Sequence, residues 1–184
     1  MTLNATLVGS RAISDTHRKQ IVMAGFLVAS KGYHGRSGHA DGADSEFYKG
    51  YRVYARASVT KVSFTNYVPW KGFAKDDNYV DYEKMDQVQK KEAQRIAMEV
   101  MGKSHWGNLS PAAKKLHTRN VFQVIGDDFE SPSDVLVCCA EPTPFGVKGG
   151  TNTAFLLASA MDIPCLNLYT NDGRKEFYEY MREV

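Results

Sequence analysis

Apolar and polar positions alternate along this chain between two periods, and the alternation itself predicts its architecture. Leu3 to Val8 is a short β-leaning run that ends at Gly9-Ser10-Arg11. Ser14 or Asp15 then caps a helix running through about Leu27, with Ile21, Ala24, Gly25 and Val28 on one face and Lys31-Gly32 closing it. Tyr33 to Arg36 stands where a short second strand is expected. Gly38 and Gly42 mark the next turn, with Asp41 as a candidate N-cap and Phe47, Tyr51 and Tyr54 sharing a face of the helix that follows. The alternating, β-branched Val59 to Phe64 predicts a third strand, followed by Tyr67-Val68-Pro69-Trp70, and the polar Lys71 to Val80 predicts a loop.

The second half continues the pattern. Asp81 to Met101 reads as one helix, with Ala93, Ile96, Ala97 and Val100 on one face. Gly102 to Leu109 breaks it. Ser110-Pro111 opens another helix, on which Leu116, Asn120 and Val124 line up, so a buried Asn120 needs a partner. Asp134 to Cys139 is a nearly continuous apolar strand, as in a parallel sheet covered on both faces. The uncharged helix Thr151 to Met161, the strand Ile163 to Leu168 and an amphipathic helix from Asp172 to about Arg182 complete the chain. Strands alternating with helices predict a Rossmann-like α/β fold: a parallel sheet of about five strands with helices on both faces, in a single domain spanning residues 1–184.

In such a sheet all strand-to-helix turns lie along one edge. Three of them are small, polar and glycine-containing: Gly9-Ser10-Arg11, the segment Ser37-Gly38-His39-Ala40-Asp41-Gly42-Ala43-Asp44, and Gly149-Gly150-Thr151 with Asn152. Their convergence would form a cradle for phosphates or sugars. The last turn would present a helix N-terminus to an anion, or it is simply a tight turn capped by Thr151. Arg11 supplies a cation with bidentate reach. Asp41 or Asp44 would accept ribose hydroxyls or serve only as helix caps. Trp70 would stack on a base or close the rim of the core. His39 is expected to form hydrogen bonds within its turn.

Composition narrows the function classes. Apolar residues at 43% and charged residues at 24% are ordinary for a soluble globular protein, and a net charge of +2 argues against a large nucleic-acid-coating surface. The three cysteines sit in apolar runs and read as buried thiols of a reducing compartment. The N-terminus lacks the pattern of a signal peptide, no apolar run is long enough to cross a bilayer, and no zinc spacing occurs. The expected setting is the cytoplasm, with no metal, no cofactor and no membrane partner, and a homo-oligomer is expected.

Val8-Gly9-Ser10-Arg11, the segment from Ser37 to Asp44, Val68-Pro69-Trp70, Arg119-Asn120-Val121-Phe122-Gln123 and Gly149-Gly150-Thr151 together resemble the SLOG superfamily. It includes the "LONELY GUY" phosphoribohydrolases and the DNA-recombination mediator protein A. The similarity covers most of the chain and is strongest to small stand-alone members, many of them phage-encoded. It implies a Rossmann-like fold and a nucleotide-like ligand, and adds Arg119 and Asn120 to the candidate binding residues. The phosphoribohydrolases carry a PGGxGTxxE pattern whose glutamate belongs to their active site. Here Asn152 replaces a glycine of that pattern and an apolar residue stands at the glutamate position, so no catalytic role carries over.

Three functions follow in order. The first is binding of a nucleotide or nucleotide-derived ligand, ADP-ribose-like or cyclic, to sequester or sense it. The second is hydrolysis of a nucleotide at its N-glycosidic or phosphate bond, with Glu46, Glu141 and Asp41 as candidate carboxylates. The third is single-stranded DNA binding, with Lys90-Lys91, Arg95, Lys114-Lys115 and Arg119 as available cations.

Overall fold

The computed structural model describes residues 2–73 and 79–184. In chain order its elements are β1 (Asn4–Gly9), α1 (Asp15–Ser30), β2 (His34–Ser37), α2 (Ala43–Ala57), β3 (Phe64–Val68) and β4 (Val80–Asp81). A 3-10 turn (Tyr82–Lys84) leads to α3 (Gln87–Met101), α4 (Lys103–Gly107), α5 (Pro111–Ile125) and β5 (Val135–Cys139). A short antiparallel hairpin of β6 (Pro142–Thr143) and β7 (Gly146–Val147) precedes α6 (Thr151–Ala160), β8 (Cys165–Asn167) and α7 (Asn171–Glu183).

Six strands form one sheet in the order β4-β3-β2-β1-β5-β8, and every neighbouring pair is parallel. The chain first builds outward from β1 to β4, then returns to the other side of β1 for β5 and β8. The direction of winding therefore reverses between β1 and β5, the position at which open α/β sheets bind ligands.

Both faces of the sheet are covered. On one side, Leu7, Phe47, Val137 and Phe177 belong to a core formed with α1, α2 and α7. On the other, Val8, Phe122, Leu136 and Cys138 pack with α3, α5 and α6. Phe47 and Phe122 are fully buried, each removal from water contributing about 1.5–3 kcal/mol. Helices α1 and α2 cross closely because Gly25 faces the chain at Phe47, where an added Cβ would lie 2.5 Å from the Phe47 carbonyl oxygen. The helix starts follow local chemistry: Ser14 Oγ accepts from His17 N (3.2 Å), and Ser110 Oγ accepts from Ala113 N (3.2 Å) just ahead of Pro111.

The structure departs from the expected elements in five places. The sheet has six strands rather than five, because the two-residue β4 pairs with β3 at Tyr67↔Val80. The third strand is Phe64–Val68, not Val59 to Phe64. Val59 lies in a turn with φ 55° and is 92% exposed, and pairing with β2 begins only at Gly35↔Phe64. The helix expected from Asp81 starts at Gln87, because Asp86 accepts from Val88 N (2.7 Å) and Gln89 N (3.4 Å) in a capping box. Asp41 caps nothing; Gly42, at φ 89°, occupies that position of α2. Thr151 is likewise not the cap of α6, a position held by Gly150. Of the expected loop from Lys71 to Val80, residues 74–78 lie outside those described.

Candidate functional site

The site is organised by a carboxylate. Asp44 stands in the first turn of α2 and is 4% exposed. Its Oδ1 accepts from Gly9 N (3.1 Å), and its Oδ2 accepts from Gly38 N (3.2 Å) and Ala40 N (3.4 Å). One side chain thus ties the turn after β1 to the turn after β2. Ala43 N donates to Ser10 O (3.0 Å) and reinforces the joint. Ser37 Oγ donates to Leu7 O (2.5 Å), fixing the end of β2 on β1.

Helix α5 supplies the opposing charge. Arg119 is 5% exposed, and its Nη1 lies 3.9 Å from Asp44 Oδ2. Burial pulls its guanidinium down to about 10, while Asp44 holds it up and the nearby Arg11 pushes it further down. Arg119 is therefore still charged at neutral pH. Burial pushes the Asp44 carboxyl up, against Arg119 and the three backbone N–H groups. The Gln123 amide oxygen accepts from Arg119 Nη1 and from Gly38 N (2.8 Å), and its nitrogen donates to Asn120 Oδ1 (3.3 Å), an orientation assigned from these partners. Arg119 Nε is buried with no partner among the described residues.

Asn120, the polar residue on the apolar stripe of α5, donates through Nδ2 to Gly150 O (2.8 Å). That bond joins α5 to the start of α6. Asn152 N donates to Gly149 O (3.2 Å), and Gly150 and Thr151 at the start of α6 line the cleft, where the helix dipole favours an anion. Gly149 has φ 80°, a backbone conformation that a side chain would strain.

Between these parts lies a cleft of about 400 Å³, within the range of small-molecule sites. Gly9, Ser10 and Arg11 line it from β1, Ala40 and Asp44 from the second turn, and Lys148, Gly149, Gly150 and Thr151 from the third. Helix α5 closes it with Ala113, Leu116, His117, Arg119, Asn120 and Gln123. Three glycine-containing turns that are distant in sequence thus meet at the winding reversal between β1 and β5. Arg11 is exposed at the cleft. Lys148 is held 3.0 Å from Glu141 Oε2, a contact that keeps its ammonium charged to higher pH. The cleft is cationic: Asp44 is the sole carboxylate among its lining residues, against Arg11, Arg119 and Lys148.

Several expected residues stand outside the cleft lining. Ser37 and Gly38 lie beneath it, in the Asp44 and Gln123 hydrogen bonds. His39, at φ 54°, sets its ring edge-on to Tyr48, with centroids 5.7 Å apart. Asp41 is exposed and is not among the cleft-lining residues. Asn152 Oδ1 accepts from Val147 N (3.0 Å), which fastens the β6–β7 hairpin to α6. Trp70 packs edge-on against Phe73 at 5.4 Å. It is not among the cleft-lining residues, although the Phe73 ring lies 5.8 Å from the Arg119 guanidinium. Of the carboxylates considered for hydrolysis, Glu46 pairs with Arg18 (2.6 Å) and Glu141 with Lys148, and neither lines the cleft.

His117 is not among the residues expected to bind, and Gln123 enters the sequence reading only as part of the segment Arg119 to Gln123. His117 Nδ1 lies 2.7 Å from Thr153 Oγ1. Burial, then His105 and Arg119, hold this imidazole below its ordinary value. The available signal was their placement one turn from Asn120 on the same stripe, which requires a polar wall wherever Asn120 is buried.

No family model matches the chain, and no curated protein matches it. Among solved structures, it is similar to DNA processing protein A from Helicobacter pylori, whose structure was described for its single-stranded DNA binding mode. The two superpose with a TM-score of 0.56 at 17% identity, over 97% of this chain and 72% of that one. At that identity the likeness concerns the fold alone: the chain has a Rossmann-like fold, similar to that of DNA processing protein A.

Proposed function

We propose that the chain binds a phosphorylated, nucleotide-derived ligand in this cleft and holds it without cleaving it. The observation that carries the reading is the convergence of Arg11, Arg119 and the start of α6 on one concave space. A buried guanidinium with an unpartnered Nε, a second guanidinium close enough to repel it, and a helix N-terminus gain jointly from an anion placed among them. The apolar wall of Ala113 and Leu116 offers a base or sugar a surface beside the phosphate. Holding is favoured over hydrolysis because Asp44 is engaged by three backbone N–H groups and Arg119, which leaves it poorly suited to activate a water. A thermal-shift panel of nucleoside mono- and diphosphates, ADP-ribose and cyclic nucleotides tests the reading. Stabilisation by at least one of them, with no base or phosphate released, is the expected result. No stabilisation by any member would remove it.

A second reading, single-stranded DNA binding, is favoured by the fold shared with a protein described as binding such DNA. The same cleft would then take one phosphate and its base, and affinity would fall steeply with salt. Fluorescence anisotropy of a labelled oligonucleotide at low and moderate salt separates the two, because flat anisotropy at low salt excludes DNA.

A further inference from the structure

We propose that His117 takes up a proton when an anion enters the cleft, so that the site holds its ligand more tightly as the pH falls. This rests on the anion-binding reading above. His117 lines the cleft from α5 and is half-buried there. The charged and titratable groups around it are nearly all cationic. His105, on α4, and Arg119, on the same helix, both disfavour its charged form. Lys114, also on α5, lies over the Trp106 ring at 5.8 Å. Arg11 and Lys148 line the same cleft, and Asp44 is committed to Arg119. Helix α6 brings no charged side chain to the contact. In the free protein burial, and then His105 and Arg119, favour the neutral imidazole, and an anion among the same groups opposes that bias.

The partner on α6 suits both protonation states. Thr153 Oγ1 lies 2.7 Å from His117 Nδ1. A hydroxyl rotates to donate to a neutral ring nitrogen or to accept from a protonated one. The contact therefore survives the uptake of a proton, which leaves both ring nitrogens as donors, and the ring need not move. The proton comes from solvent and returns to it when the ligand leaves.

The test is a histidine ring-proton NMR titration of the intact chain, with and without saturating sodium sulfate, at constant ionic strength set with sodium chloride. Sulfate remains a dianion across the imidazole range. The expected result is a His117 pKa higher by about one unit with sulfate, equivalent to about tenfold tighter binding on the acid side than on the basic side. His117→Gln should bind sulfate with an affinity that is flat over the same range. Backbone amides of Ser10 and Thr151 that shift with sulfate while the His117 titration stays fixed would overturn the proposal and leave the anion site standing. No shift at those amides would remove the anion site and the proposal together.

Discussion

Arg119 and Asp44 face each other inside the molecule, with Nη1 3.9 Å from Oδ2 and the two residues 5% and 4% exposed. The separation is longer than a hydrogen-bonded ion pair. Asp44 spends its oxygens on the N–H groups of Gly9, Gly38 and Ala40, and Arg119 keeps part of its hydrogen-bonding capacity in reserve. The carboxylate thus acts as the joint of two turns, and the guanidinium as the floor of the cleft.

Asp44→Ala should be strongly destabilising. It removes three backbone hydrogen bonds and leaves Arg119 as an uncompensated buried charge. Breaking a buried pair in this way costs about 3–5 kcal/mol. Urea denaturation of the variant should show a midpoint displaced accordingly. A loss below about 1 kcal/mol would mean that the joint is not where the two turns are held.

Gly38→Ala addresses the floor from beneath. An added Cβ would land on the Arg119 guanidinium and 2.5 Å from the Gln123 side-chain amide. Overpacking of this kind costs about 1–3 kcal/mol. Because the side chain that must yield is Arg119, the variant should also lose ligand affinity. Calorimetry on the folded variant checks this: unchanged affinity would separate Arg119 from the ligand.

Arg11→Gln should do the opposite, weakening binding while sparing the fold. Arg11 is exposed and lines the cleft. Loss of a charge-assisted contact should raise Kd roughly tenfold or more. An exposed substitution should leave stability within about 0.5 kcal/mol. Thermal melting and calorimetry of one preparation read both quantities.

Stability should fall as the pH is lowered through the imidazole range. His34, with Nδ1 2.9 Å from Ser63 Oγ and Nε2 2.9 Å from Thr65 Oγ1, is held below the ordinary value of 6.5 by burial and then by Arg36, against Asp127. His117 is shifted the same way. When the folded pKa lies below the unfolded one, the unfolded chain binds the extra proton. Stability is then fully present above 6.5 and is lost as the pH falls from there towards the folded values. Unfolding free energies measured stepwise from neutral to mildly acidic pH should decline, and His34→Gln should flatten the decline.

The strands were legible where burial on both faces leaves an unbroken apolar run, as at Val135–Cys139, and the helix starts where a cap is followed by proline, as at Ser110-Pro111. The third strand was misplaced because β-branching favoured Val59 to Phe64, while pairing with β2 and a turn at Val59 decided the outcome. Asn120 announced itself as a polar residue that needed a partner, and Gly150 O is that partner. Trp70 illustrates what local pattern cannot supply. It does follow a strand, but β3 is two strands from β1, and Trp70 packs on Phe73, whose ring lies 5.8 Å from the Arg119 guanidinium, rather than lining the cleft. His117 escaped notice because nothing adjacent in sequence marks it, and only the approach of Thr153 from α6 gives it a role.

The most direct test of the central claim is a crystal of the intact chain soaked with the nucleotide that stabilises it most. The account predicts phosphate density between Arg11, Arg119 and the backbone N–H groups of Gly150 and Thr151, with the rest of the ligand along Ala113 and Leu116. A ligand bound elsewhere, with that cleft holding only solvent, would contradict it.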